Sequence, residues 1–397
     1  MDAWDNSQSH TTKITGYYCH HGLLSFPTWH RPYVAMLEQS IFKTMLGIVD
    51  KDFSSSPKYK DAIRKFRLPY WDPYQPRGGA TTRPGPGGRR SVPYDFGAPQ
   101  ILTTRKVMVL VSENSTELTS VDNPLYSFKF TGAGKTSITA FNDSEGGLYS
   151  SDSTCRHPKR QGGYKESNVD ELNDSLKKNQ IDGVSQMIKL ITLKEYKNWR
   201  SWSNHGWDTS FIYNHDSVEG FHDDYHGWLG GQYGHMSRPQ IAAYDPVFWL
   251  HHCNIDRLIA VYQAINPRVW WPSDLDKLKE PASNVPLFPF RKSAGNSSWW
   301  TSEDVKTTDT FGYTYADLSI RDPNKLANDF ARRYSWSQKA DYKMPDDVKK
   351  NFEASELTAL KSSFLQSDKQ IPSSLASATS VPATPPHKTG NIVVQVA

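Results

Sequence analysis

A chain of 397 residues with 37% hydrophobic and 22% charged residues can bury a large core, and its length admits one big domain or two ordinary ones. The 46 Lys and Arg against 42 Asp and Glu leave a net charge of only +4, with the basic residues dispersed, so nucleic acid is not an implied partner. No stretch reads as a bilayer span or as a secretory signal, and Cys19, Cys155 and Cys253 are too few for a disulfide framework, so no membrane partner and an intracellular, cytoplasmic setting are expected.

Residues 17–50 open with GYYCHHGLLSFPTWH and continue as RPYVAMLEQSIFKTMLGIV, whose apolar residues recur at helical spacing. Pro32 is expected near the helix start, where proline is tolerated, which sets the histidines at a helix entrance. Residues 73–100, dense in Gly and Pro, read as a long surface loop. Residues 101–165 mix β-branched stretches, KVMVLVS and LYSFKF, with polar turns and are expected to hold a few short strands. A helical pattern follows at 165–200. Two histidine-bearing segments come next, SVEGFHDDYHGWLGG at 217–231 and DPVFWLHHCNIDRLIAVYQAI at 245–265. Both are predicted helices, the second with Asp245 as cap and Pro246 at its first position. Candidate helices at 323–336 and 345–366 then lead into a Ser/Pro/Ala-rich linker, and the closing NIVVQVA reads as one strand.

His222 and His226 stand four apart, which places both side chains on one helix face with Cβ atoms about 5–6 Å apart, able to chelate one ion. Such a pair alone is more often a surface feature than a metal site. His252, however, sits on a third segment with Phe248 one turn before it and Asp256 one turn after. Upstream, His21 and His30 lie nine apart across a turn. Five or six imidazoles with almost no cysteine or carboxylate in ligand positions suit copper, zinc, iron or nickel. The helix reads HDDYH, not the HExxH of zinc hydrolases.

HGLLSFPTWHRPYVAMLE, from His21 to Glu38, resembles the first copper-binding signature of the tyrosinases, and DPVFWLHHCNID, from Asp245 to Asp256, resembles the second. GHMS at 234–237, LPYWDP at 68–73 and TFGYTY at 310–315 resemble segments of the fungal branch, so the similarity covers about residues 1–320. The resemblance implies a mainly α fold: a type-3 copper four-helix bundle core with long loops and a few short strands. It implies two copper ions, one held by His21 and His30 and the other by His222, His226 and His252, with dioxygen as co-substrate and a small phenol as substrate. It further implies a thioether between Cys19 and His21, a water-holding Glu219 able to help deprotonate a phenol, an Asp223 where many hydroxylating members carry Asn, and a Phe248 stacked over the site. The family's first copper takes a third histidine from an upstream helix, and His10 in the polar run SQSHTT is the candidate here. AWDN at 3–6 resembles the stretch after that histidine in relatives, so the chain is expected to begin inside the fold.

The expected division is a copper-binding catalytic domain at 1–320, a helical extension at 321–370, and a linker with the start of a lid domain at 371–397. The expected activity is oxidation of monophenols and o-diphenols to o-quinones, in pigment or secondary-metabolite formation. A catechol or o-aminophenol oxidase without hydroxylase activity, a hemocyanin-like oxygen binder and an inactive homologue are the alternatives. His20 and His251 are expected to be hydrogen-bonded or core histidines, His235 to fix backbone, and His157, His205, His215 and His387 to take surface or loop roles.

Overall fold

The computed structural model describes residues 19–53, 55–75, 97–110, 116–139, 151–159, 166–193, 196–206, 217–273, 281–293, 298–334 and 387–388. His10, His215, the expected helix at 345–366 and the NIVVQVA strand lie outside these residues. Four helices carry the core: α1 (Phe26–Asp52), α3 (Val169–Thr192), α4 (Val218–Gly230) and α5 (Pro246–Ile265). α1 packs on α4 and α5, and α3 packs on the same two, so the four close into a bundle. The shorter α2 (Pro57–Arg64) lies on α1, and α6 (Pro323–Arg333) on α3 and α5. No helix among the described residues is long and apolar enough to cross a membrane.

Local chemistry sets where these helices start. Asn168, Ser217, Asp245 and Asp322 each use a side-chain oxygen to accept a backbone N–H of the first turn, and Pro246 and Pro323 follow two of these caps. The boundaries of α4 and α5 therefore fall within a residue of those read from the sequence. α1 differs. Pro27 lies in its first turn and the helix is already under way at Phe26, which leaves Pro32 inside it, not at its start. A proline there removes one intrahelical bond.

Strands are few and short. β1 (Lys106–Val109) and β2 (Thr119–Asp122) form an antiparallel pair, as do β3 (Pro286–Arg291) and β4 (Trp299–Thr301), while β5 (Thr314–Tyr315) runs parallel to β6 (His387–Lys388). KVMV is thus a strand, whereas LYSFKF contributes only an isolated bridge between Lys129 and Ser153. The core is filled by Leu, Ile, Val and aromatic side chains of all four bundle helices, with Trp202 stacked flat on Tyr262 at 3.7 Å. Leu326, Phe330 and Tyr334 at the far end of the described chain belong to that same core.

Three buried arginines tie loops to α5. Arg156 gives a forked set of bonds to Asp245, the cap of α5, and reaches the carbonyls of Leu102 and Leu125. Arg257 binds Asp317 and Asp72, and Tyr334 also donates to Asp72. Arg31 of α1 binds Asp256 of α5 at 2.7 Å, and Asp256 accepts in addition from Tyr313 and Tyr315. Buried charges survive only when paired and fully hydrogen-bonded, and these are.

Candidate metal centre

α4 presents His222 and His226 on one face, and the opposing face of α5 presents His252. Their three Nε2 atoms form a triangle with sides of 2.9, 3.1 and 3.2 Å. In His222 and His226 the Nδ1 atoms explain why Nε2 faces inward. His226 donates Nδ1–H to the Met236 carbonyl at 2.8 Å, and His222 donates to the Asp223 carboxylate at 2.9 Å. With the proton committed to Nδ1, the Nε2 lone pair is left free, which is how outer partners orient metal-binding histidines. Burial, followed by the neighbouring imidazoles, holds His222 and His252 well below the usual histidine range, and burial lowers His226 too, so all three are neutral.

Facing this triangle are His21, on the loop before α1, and His30, in the second turn of α1. His30 donates Nδ1–H to the Phe26 carbonyl at 2.7 Å, and its Nε2 lies 3.2 Å from the Cys19 thiol. Ring centroids are 5.8 Å apart for His21 and His222, 5.8 Å for His30 and His222, and 4.9 Å for His30 and His252. Burial pushes His21 down to about 4 and holds His30 well below the usual histidine range. Cys19 is not in a disulfide, and burial raises its thiol well above the ordinary value. Ligand atoms of Cys19, His21 and His30 all lie within 4.8 Å of one another.

The donor set fits a cation. Neutral nitrogens directed at one another at about 3 Å repel unless a positive ion sits among them, and imidazoles bound about 2.0–2.1 Å from a shared ion stand at such spacings. An all-imidazole set with no thiolate or carboxylate in the second triangle suits copper or zinc. His251 also brings a nitrogen within 4.8 Å of those of His222 and His226. It nevertheless donates Nε2–H to the His222 carbonyl at 3.3 Å and stacks on the His222 and Tyr225 rings, which makes it a wall of the site. His20 likewise turns away, with Nδ1 on the Ser25 hydroxyl at 2.7 Å.

Two carboxylates flank the centre. Glu219, fully buried on α4, accepts from the Gly22 amide at 2.7 Å and from the His205 amide at 3.3 Å. Burial, and then the charge of Asp223, raises its pKa well above the carboxylate range. Asp223 is half-exposed and lies 3.4 Å from Nδ1 of His205. His205, read from the sequence as a surface or loop residue, is therefore part of this rim. Only the SNH run after Trp202 hinted at it, and that run carries no periodic signal. Phe248 lies face to face with His252 at 3.9 Å, and Phe26 packs against His30 and His222.

The outer motifs converge on the same helices. Asp72 of LPYWDP pairs with Arg257, both tyrosines of the TFGYTY run reach Asp256, and Met236 of GHMS orients His226. Residues 2–265 match the model of the common central domain of tyrosinase. The chain is 31% identical to a tyrosinase of Neurospora crassa over 319 residues, 76% of this chain and 42% of that protein. It is 32% identical to a tyrosinase of Podospora anserina over 330 residues, covering 79% and 52% respectively. It thus spans about half the length of the curated relatives it matches. The crystal structure of a holo-protyrosinase of Aspergillus oryzae superposes with a TM-score of 0.66 at 25% identity, covering 85% of this chain and 63% of that one. With the bundle, both histidine groups and these likenesses in agreement, the chain belongs to the tyrosinase family.

Proposed function

We propose that this protein oxidises phenols and catechols to ortho-quinones with dioxygen at a pair of copper ions. The convergence of three neutral imidazole nitrogens within 3.2 Å of one another, faced by His21 and His30, carries this reading. His222, His226 and His252 would hold one copper, and His21 and His30 the other, with His10 as its third ligand. Bound copper supplies the two-electron exchange with dioxygen. The chain's own residues do the rest. Phe26 and Phe248 pack on ligand rings and keep water from them. Glu219, fixed by two backbone amides at the rim, takes the proton of an incoming phenol or holds the water that does. Asp223 keeps His222 in the tautomer that leaves Nε2 free. A Cys19–His21 thioether would form by loss of the S–H and one ring C–H hydrogen, both electrons passing to dioxygen. It would show as an intact mass two hydrogens lighter than the sequence.

Asp223 favours a narrower second reading, catechol or o-aminophenol oxidation without hydroxylation. It stands directly after His222 and binds that ring, at the position where the family resemblance places Asn in many hydroxylating members. Copper-loaded protein assayed on tyrosine and on dihydroxyphenylalanine separates the two. Turnover of both supports the first reading, and turnover of the diphenol alone supports the second. Oxygen binding without turnover of either overturns both in favour of a carrier. Replacing His252→Ala is expected to abolish diphenol oxidation, and a variant that keeps its rate would overturn the ligand set.

A further inference from the structure

His226 has its tautomer set by one backbone carbonyl, that of Met236, and what holds that carbonyl is unusual. His235, the residue before it, is fully buried, and its imidazole takes part in a two-way clamp with Cys155. The Cys155 amide donates to Nδ1 of His235 at 3.1 Å, while the His235 amide donates to the Cys155 carbonyl at 3.1 Å. The turn His235–Ser237 is pressed onto the end of α4 by a second contact, the Ser237 hydroxyl on the Gly231 carbonyl at 2.6 Å. Gly230 and Gly234 make this approach possible. A Cβ at Gly234 would collide with the Gly230 carbonyl oxygen, and one at Gly230 with Ser237.

The clamp also fixes the tautomer of His235. Nδ1 accepts, so the proton lies on Nε2, which is buried with no partner among the described residues. An unpaired buried donor costs stability, and an apolar residue of similar size would avoid that cost. Stability alone therefore does not account for a histidine here. Resting on the copper reading above, we infer that His235 is a positioning residue for the second metal site. Through the Cys155 clamp it holds the Met236 carbonyl where His226 Nδ1–H meets it, and thereby aims the His226 lone pair at the ion.

The test measures the copper affinity of the His222, His226 and His252 site by chelator competition, in a His30→Ala background that disables the facing group. His235→Leu keeps size but removes the Nδ1 acceptor. It is expected to bind copper about 10–100-fold more weakly than its parent, with a changed copper(II) spectrum. His235→Asn places an acceptor oxygen near the position of Nδ1 and is expected to restore affinity and spectrum. Equal affinity in parent and His235→Leu, or an equal loss in His235→Asn and His235→Leu, overturns the inference. Should His235→Leu fail to fold by circular dichroism, Ser237→Ala loosens the same turn and is expected to weaken copper in the same direction; unchanged affinity there overturns it too. A parent that binds no copper overturns the copper reading itself, and the inference with it.

Discussion

A neutral imidazole offers a metal one lone pair, and the partner of its other nitrogen decides where that pair points. In His30 and His226 that partner is a backbone carbonyl, which can only accept, so the assignment of the proton is forced. Glu219 has a comparable fixity, since two amides hold its carboxylate in place. Replacing Glu219→Gln keeps an oxygen for only one of those amides and removes the proton acceptor. On the hydroxylating function proposed above, turnover of tyrosine is expected to fall about 10²–10⁴-fold while that of dihydroxyphenylalanine changes little. Equal losses on the two substrates would show that Glu219 serves the copper site in general. The i,i+4 pair and His252 were legible because helices impose a period on sequence. His205 was not, because its amide and ring reach Glu219 and Asp223 from a segment without one. The contact of Cys19 with His30, beside the expected His21, was equally hidden. It depends on how the chain turns at Gly22, where φ is +66°.

Among the elements, α1 and α5 are joined by one buried ion pair, Arg31 with Asp256, and each partner stands close to a proposed ligand. Both residues belong to the two signatures read in the sequence, yet their pairing is a long-range contact that no local pattern reveals. Arg31 further donates to the carbonyls of Val305 and Lys306. Replacing Arg31→Met strands the Asp256 charge and is expected to cost about 3–5 kcal/mol, measured as a shift in the denaturant midpoint. A loss under about 1 kcal/mol would mean that the tyrosines alone suffice to hold Asp256. Element boundaries were readable where a cap announced them, as Asp245 and Pro246 do for α5. The early start of α1 was misjudged because Pro27, not Pro32, sits in its first turn. LYSFKF has strand-forming residues but pairs with 152–154 over one bridge only, too short a ladder for a strand among the described residues.

Over the described molecule, several histidines are buried, and burial favours their neutral form. Burial holds His20 at about 3 and both His21 and His235 at about 4, against about 6.5 in an unfolded chain. Below pH 6.5 the unfolded chain takes up protons that these groups refuse, so folding stability is complete above that value and falls as pH drops toward 4. Each such histidine adds about 1.4 kcal/mol per pH unit to the slope. The melting temperature is expected to decline steeply between pH 6.5 and 4, and less steeply in His20→Gln. A flat profile would contradict the neutral burial. The resemblance implied the mainly α bundle core, but could not foresee that so many imidazoles would be shut away from solvent. Helical spacing places residues on a face without saying what that face meets.

The link between Arg31 and Asp256 also bears on motion. Two helices clamped by a desolvated ion pair resist sliding past each other, so on the function proposed above a phenol is expected to enter elsewhere than between α1 and α5. The expected route is past the short loops beside the site, at 19–25 and 204–206, which carry Cys19, His21 and His205. Amide exchange is accordingly expected to be slowest at 30–34 of α1 and 250–262 of α5, and faster by orders of magnitude along those loops. Fast exchange within the clamped turns would mean that the helices themselves act as the gate.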